Sequence, residues 1–305
     1  MVLFGYHVGA LLRKTGQEIL ADNVSALAAQ AAYYFFFSLF PLFLFLAPLL
    51  SLVVDPQTLL GVVMSRIGSV IAPEGVAPLR GVLENIVFTK NGPGLMSIGG
   101  LLAAWSGSNI FGALMTALNT AYDVDETRAW WKRQALRLGI LIVGAVLLLV
   151  ATVVMLGGED IARTVGSAIG LRPGAIIAWD IVQFPLAFAF LVAFAFLTYW
   201  LLPNVRQRKS HILVASVVAS VLLLMATLLF RLYVQRFPPN PTYGVVGGVL
   251  ILLGWMYYTM FVLLAGGELA AELTHGSGAV TPSKGATYFG RIVSGDHPGT
   301  PSTAA

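Results

Sequence analysis

Six stretches of this chain run for twenty-one residues or more without one Asp, Glu, Lys or Arg: Val24–Val54, Asn91–Tyr122, Leu138–Gly158, Ile181–Val205, Ser210–Phe230 and Phe237–Gly267. A helix rises about 1.5 Å per residue, so crossing about 30 Å of hydrocarbon takes about 20 apolar residues. All six stretches meet that length, and a buried helix of a soluble protein seldom stays charge-free so long. Only 10% of the 305 residues are charged, against about 25% in an average soluble domain. Too little charge is present to cover a water-facing surface. The expected fold is an all-α membrane protein, a bundle of six transmembrane helices.

Orientation follows from where Lys and Arg fall, because segments on the cytoplasmic side carry the excess. With the N-terminus inside, the inner segments hold Arg13, Lys14, Arg128, Lys132, Arg133, Arg137, Arg206, Arg208, Lys209, Lys284 and Arg291. The outer segments hold Arg66, Arg80, Lys90, Arg163, Arg172, Arg231 and Arg236. The two short inner loops concentrate seven of these charges, and Trp130 and Trp131 beside them suit interfacial anchors. The expectation is a multi-pass protein of the plasma membrane with both termini cytoplasmic.

The first span is too long for the apolar core of a signal peptide. Residues 1–23 before it mix Leu11, Leu12, Ile19 and Leu20 with Arg13, Lys14, Glu18 and Asp22, a pattern for a short interfacial helix. Residues 24–273 form the transmembrane domain, and residues 274–305 read as a polar, disordered cytoplasmic tail. Between the first two spans, Asp55-Pro56 is a helix start, and the apolar residues after it recur at helical spacing, as they do again after Pro78. Glu159–Ile169 forms a third such segment. These three read as short amphipathic helices on the outer face.

Within the spans, the polar and small residues are the ones that carry information. Gly100, Ala104, Ser108 and Gly112 recur every four residues, a face on which two helix backbones approach closely. Ser108 and Asn109 alternatively line a polar path together with Tyr34 and Ser38 of the first span. In the last span Gly244, Gly247 and Gly248 read as packing positions. Glu268 and Glu272 share one face at i, i+4. They either relay protons or bind a cation within the bundle, or sit at the cytoplasmic rim neutralised by nearby basic residues. Asp180, at the outer start of the fourth span, either caps its helix or faces a cavity.

No P-loop, GxSxG motif or metal-ligand spacing is present, and there is no cysteine. Neither a cofactor nor a metal is expected. The basic residues make a membrane rim and not a stripe interleaved with stacking aromatics, so nucleic acid is not an expected partner and an enzyme is the weaker class. No internal repeat relates residues 24–158 to 181–272.

Four segments resemble the BrkB/YihY family of bacterial inner-membrane proteins, older members of which were labelled ribonuclease BN. They are Ala28–Pro41, then Trp105–Asn109 leading to Ala117-Leu118-Asn119-Thr120-Ala121-Tyr122, then Tyr199-Trp200-Leu201-Leu202-Pro203-Asn204, and Tyr243-Gly244 through Gly267-Glu268-Leu269-Ala270-Ala271-Glu272-Leu273. The resemblance covers about residues 10–273. It implies a six-span inner-membrane protein, and the ribonuclease label does not fit the residues present. Two functions stay open: a transporter or lipid translocator whose partners are membrane lipids and a lipid or small-molecule substrate, or a non-transporting scaffold or envelope-assembly partner.

Overall fold

The computed structural model describes residues 2–3, 6–51, 57, 61, 92–168, 172–236, 244–275 and 281–282. Its helices are α1 (Val8–Ala21), α2 (Val24–Ser51), α3 (Gly92–Ala121), α4 (Trp130–Ala168), α5 (Arg172–Leu201), α6 (Lys209–Arg236) and α7 (Gly244–His275). Six of them, α2 to α7, are long and apolar enough to cross a membrane. Two antiparallel pairs of two residues each, Val2–Leu3 with Tyr6–His7 and Val205–Arg206 with Thr281–Pro282, complete the described structure.

Successive spans pack as antiparallel neighbours: α2 along α3, α4 along α5, and α6 along α7. α7 also lies against α2, and α1 lies across its last turns. α3 touches α2, α4 and α7 and is the most buried of the spans. The core therefore runs along α3, through Ile110, Leu114, Met115 and Leu118, to meet Tyr199 of α5 and Met256, Met260 and Leu264 of α7. Around it lies an apolar skin, with Leu148 70% and Leu149 66% exposed. Water would penalise that surface and acyl chains do not, so this is an integral membrane protein.

The spans alternate in direction. The starts of α2, α4 and α6 and the ends of α3, α5 and α7 thus share one end of the bundle, which carries Arg13, Lys14, Arg128, Lys132, Arg133, Arg206, Arg208 and Lys209 and is called the basic end below. Its helix termini are closed by local chemistry. After α3, Asp123 takes φ 52°, its N–H donates to the Thr120 carbonyl at 2.9 Å, and the Val124 N–H donates to that of Asn119 at 3.0 Å. This is a Schellman end, in which the left-handed residue lets two otherwise orphaned carbonyls be satisfied. Asn23, also at φ 52°, turns the chain between α1 and α2. Asn and Asp tolerate this conformation better than other non-glycine residues.

Several boundaries differ from the sequence reading. Glu159–Ala168 is the continuation of α4, not a separate amphipathic helix. α5 begins at Arg172, so Asp180 lies well inside the helix and does not cap it. Pro173 is the better start signal, since proline lacks only an N–H that the first turn leaves unpaired. α2 runs unbroken through Pro41 and Pro48. α7 continues to His275, so the transmembrane helix passes the expected boundary at 273. The Asp55-Pro56 start, the segment after Pro78, and the tail at 276–280 and 283–305 lie outside the described residues.

Candidate functional site

At the basic end the loops after α3 and α5 are tied into one polar knot. Asn119, buried near the end of α3, donates through Nδ2 to Glu126 Oε2 at 3.0 Å and accepts at Oδ1 from the Asn204 backbone N–H at 2.7 Å. Asn204 Nδ2 donates to the Asp125 carbonyl and to Thr127 Oγ1, both at 3.0 Å. Arg128 forks onto Glu126, Nε to Oε1 at 2.8 Å and Nη2 to Oε2 at 2.7 Å. It also donates to the carbonyls of Leu201, the last residue of α5, and Leu202, the first of the loop after it. Burial pushes the Glu126 carboxyl up, but the bonds from Arg128 and Asn119 outweigh it and hold the group below its ordinary range.

Tyr122 and Tyr199 extend the knot to α7. The Tyr122 hydroxyl donates to Gln207 Oε1, and Gln207 Nε2 donates to the Tyr199 carbonyl at 2.7 Å. Burial pushes the Tyr122 phenol well up, against the opposing pull of its bond with Thr274, so it remains a donor at any physiological pH. The Tyr199 hydroxyl donates to the Leu263 carbonyl of α7. Gly266 and Gly267 make that approach feasible: a Cβ on Gly266 would collide with Tyr199 Oη and Ala219 Cβ, and one on Gly267 with Leu118 Cδ2.

Beside this knot lie the two carboxylates of α7. Glu268 is 2% exposed and Glu272 3%. Glu272 Oε2 sits 2.8 Å from Lys14 Nζ on α1. Leu11 of α1 packs on Leu269, Ala270 and Leu273 of α7 and on Ala215 of α6, so α1 covers this face. The charged side chains that bear most on Glu268 are those of Asp22, Glu18, Glu272 and Asp123, all carboxylates. The expected neutralising cation for the pair thus comes from α1 and meets Glu272, not Glu268.

The other polar candidates stand elsewhere. Gly99 of α3 abuts the backbone of Leu44 and Phe45, which sets Tyr34 and Ser38 of α2 at about the level of Ser108 and Asn109. Leu118 meets Gly267, so Asn109 is nine residues, or about 13 Å, farther from the basic end than Glu268. The two groups do not form one site. Ser38 Oγ donates to the Phe35 carbonyl at 2.7 Å, within its own helix. Ser108 Oγ donates to the Trp105 carbonyl at 2.7 Å and accepts from Gln134 Nε2 at 3.1 Å. Tyr34 packs edge-to-face on Tyr33 with ring centroids 5.7 Å apart. Asn109 is half-buried, and the side chain of Asp180 lies outside the described residues.

The small-residue face of α3 serves two neighbours. Gly100 lies under the Phe45 ring of α2 and Gly112 under the Arg137 guanidinium of α4, with half-buried Ala104 between them. On α7, Gly247 is buried, but Gly248 is exposed and a Cβ there would meet no atom. The surroundings of Gly244 lie outside the described residues. The close-packed glycines of α7 are Gly266 and Gly267, which the sequence reading quoted without a packing role. The knot residues Asn119, Tyr122, Tyr199 and Asn204 also stood in the quoted segments. Their signal was an amide or phenol directly at the end of an apolar run, where a buried polar group needs a named partner.

Six apolar spans with a bare apolar skin, closed at one end by a buried polar knot, define a polytopic membrane protein. Residues 15–287 match the family model described as virulence factor BrkB, and the chain belongs to that family. It is similar to the ribonuclease-like protein YfkH of Bacillus subtilis (strain 168), at 28% identity over 81% of this chain and 88% of that protein. A UPF0761 membrane protein of Psychromonas ingrahamii is 24% identical over 83% of each chain. Another, of Azotobacter vinelandii, is 26% identical over 85% of this chain and 62% of its own length. No solved structure matches.

Proposed function

We propose that this protein is a transporter of the bacterial plasma membrane, moving a lipid or small molecule, with Glu268 carrying a charge-compensated step at the cytoplasmic end of α7. The observation behind the reading is the 2% exposure of Glu268, one turn from equally buried Glu272 on α7. A bare carboxylate within a bilayer costs about 3 kcal/mol, and Lys14 is engaged by Glu272. Buried without an ion pair among the described residues, Glu268 needs a proton or a cation to offset its charge. A rim anchor has no reason to be covered.

The test is complementation of a deletion phenotype at matched membrane levels. Glu268→Gln keeps the volume and removes the charge, so it should insert and fold yet lose the activity. Glu272→Gln, which loses only its ion pair to Lys14, should retain most of it. Full complementation by Glu268→Gln sinks the reading. The alternative, a non-transporting scaffold or envelope-assembly partner, is favoured by the backbone contact of α3 on α2 at Gly99 and by the α7 packing at Gly266. Under that reading both Gln variants complement and only packing variants fail.

In our reading the chain is not an enzyme. The ribonuclease-like name of the Bacillus relative is not extended to it, because Lys and Arg ring the helix ends and do not trace a groove for nucleic acid. The cytoplasmic placement of both termini rests on the same basic residues. With no cysteine in the chain, single cysteines report the side directly. Gln207 is held by Tyr122 and Tyr199, so exposed Arg208 is the better position. Arg208→Cys should react with an impermeant maleimide only from the cytoplasm, and Ser167→Cys only from outside. Reaction of both from one side overturns the orientation.

A further inference from the structure

α4 opens Trp130-Trp131-Lys132-Arg133, and Arg137 follows Arg133 at i+4 on the same face. Like charges at that spacing repel, so such a pair calls for a counter-charge. Among the described residues neither arginine is in an ion pair, and the Nε–H of each is buried without a hydrogen-bond partner. The charges that bear on Arg137 are Arg133, Glu126 and Arg128. Glu126, the only carboxylate of the group, is already gripped by both arms of Arg128 and by Asn119. The Arg137 guanidinium is left against α3, and one donor of each arginine, its Nε–H, is unspent. Gly112 makes the room: a Cβ there would stand 3.0 Å from Arg137 Cζ.

Depth adds a second, independent constraint. Trp130 and Trp131 are 64% and 62% exposed at the head of α4, with Lys132 Nζ 5.2 Å from the Trp131 ring centroid. Exposed indoles at a span's end mark the headgroup level. Arg133 and Arg137 lie about 5 and 10 Å along the helix from Trp130, just inside that level. On the α5 side of α4 an apolar groove of about 240 Å³ is lined by Leu136, Ile140, Val143, Phe194, Leu197 and Leu201; neither arginine lines it. A guanidinium fork matches phosphate oxygens in pairs, which a point charge does not.

We propose that Arg133 and Arg137 form a binding site for a phosphate-bearing anion at the basic end of the bundle. The source is either a phospholipid headgroup or a free phosphate compound. The site does not depend on Glu268, and its test reads binding and not transport.

The full chain, purified in a neutral detergent and stripped of lipid, is melted with phosphatidylglycerol, with phosphatidylcholine, or with inorganic phosphate at ionic strength matched by chloride. Phosphatidylglycerol well above its Kd should raise Tm by about 5 °C, and phosphatidylcholine should raise it less. Arg133→Gln/Arg137→Gln should lose most of the shift, while Lys132→Gln keeps it. Without lipid the double variant should melt no lower than wild type, because two mutually repelling charges are gone. A shift produced by inorganic phosphate alone, and lost in the double variant, assigns the site to a free phosphate compound. No shift with any addition, an equal shift in the double variant, or a lower melting point for that variant without lipid overturns the proposal.

Discussion

Gly266→Leu should leave almost no folded protein in the membrane. The position faces two groups that cannot yield. Ala219 Cβ sits on the adjoining backbone of α6, and Tyr199 Oη is fixed by its bond to the Leu263 carbonyl. Tyr199 is fully buried and its own carbonyl is held by Gln207, so the ring has no free direction. Overpacking a filled core costs about 1–3 kcal/mol, and more when several carbons are added. Gly266→Ala should therefore cost about 2 kcal/mol, and the leucine, with four added carbons, more than a marginal fold can bear. Gly267→Ala should be milder, because its obstacle is the mobile end of Leu118. Gly248→Ala meets open space and should be neutral or stabilising by about 0.5–1 kcal/mol through helix propensity. Fluorescence-detected gel filtration and thermal melting in detergent rank the four. Equal melting points for Gly266→Ala and Gly248→Ala would show that α7 does not pack on Tyr199 as described.

That contrast marks where the sequence stops being informative. Span number and type were legible because a charge-free run of that length has one stable environment. Which side of a span faces inward was not, because helices apolar all round carry no inside-outside period for the eye to find. Gly244, Gly247 and Gly248 looked like a packing face, yet Gly248 points away from the bundle, while Gly266 and Gly267 make the tightest approach. The start of the fourth span was misjudged because charge was used as the boundary: α5 begins at Arg172, and Asp180 lies inside it. Pro173 would have marked that start better. Ser38 and Ser108 use their hydroxyls on backbone carbonyls, as hydroxyl groups in membrane helices commonly do, so residue type alone does not distinguish a packing hydroxyl from one on a polar path. The cover of Leu269, Ala270 and Leu273 by Leu11 and the ion pair of Glu272 with Lys14 join chain segments about 250 residues apart, and no local pattern encodes them.

The knot at the basic end supplies the other large effect. Asn119→Ala should destabilise the protein by about 1–3 kcal/mol, the cost of leaving a buried polar group unpaired. It takes the acceptor from the Asn204 backbone N–H, 2.7 Å from Asn119 Oδ1, and one of two donors from Glu126 Oε2, which keeps its bond from Arg128 Nη2. Asn204 also positions Asp125 and Thr127, so the loop after α3 and the loop after α5 should loosen together. Thr152→Ala is the control, since its hydroxyl is exposed and serves only its own helix; it should change little. Acid separates the knot from simple packing. The Glu126 carboxyl is held below its unfolded value of 4.5, so its contribution is present above that pH and is lost as pH falls through the lowered folded value. Asn119→Ala removes one of the bonds that lower it and should bring the loss on at higher pH. Melting wild type and variant from pH 7 to well below 4.5 tests both parts. A variant that tracks wild type across that range would mean that the two loops are held by the bundle and not by Asn119.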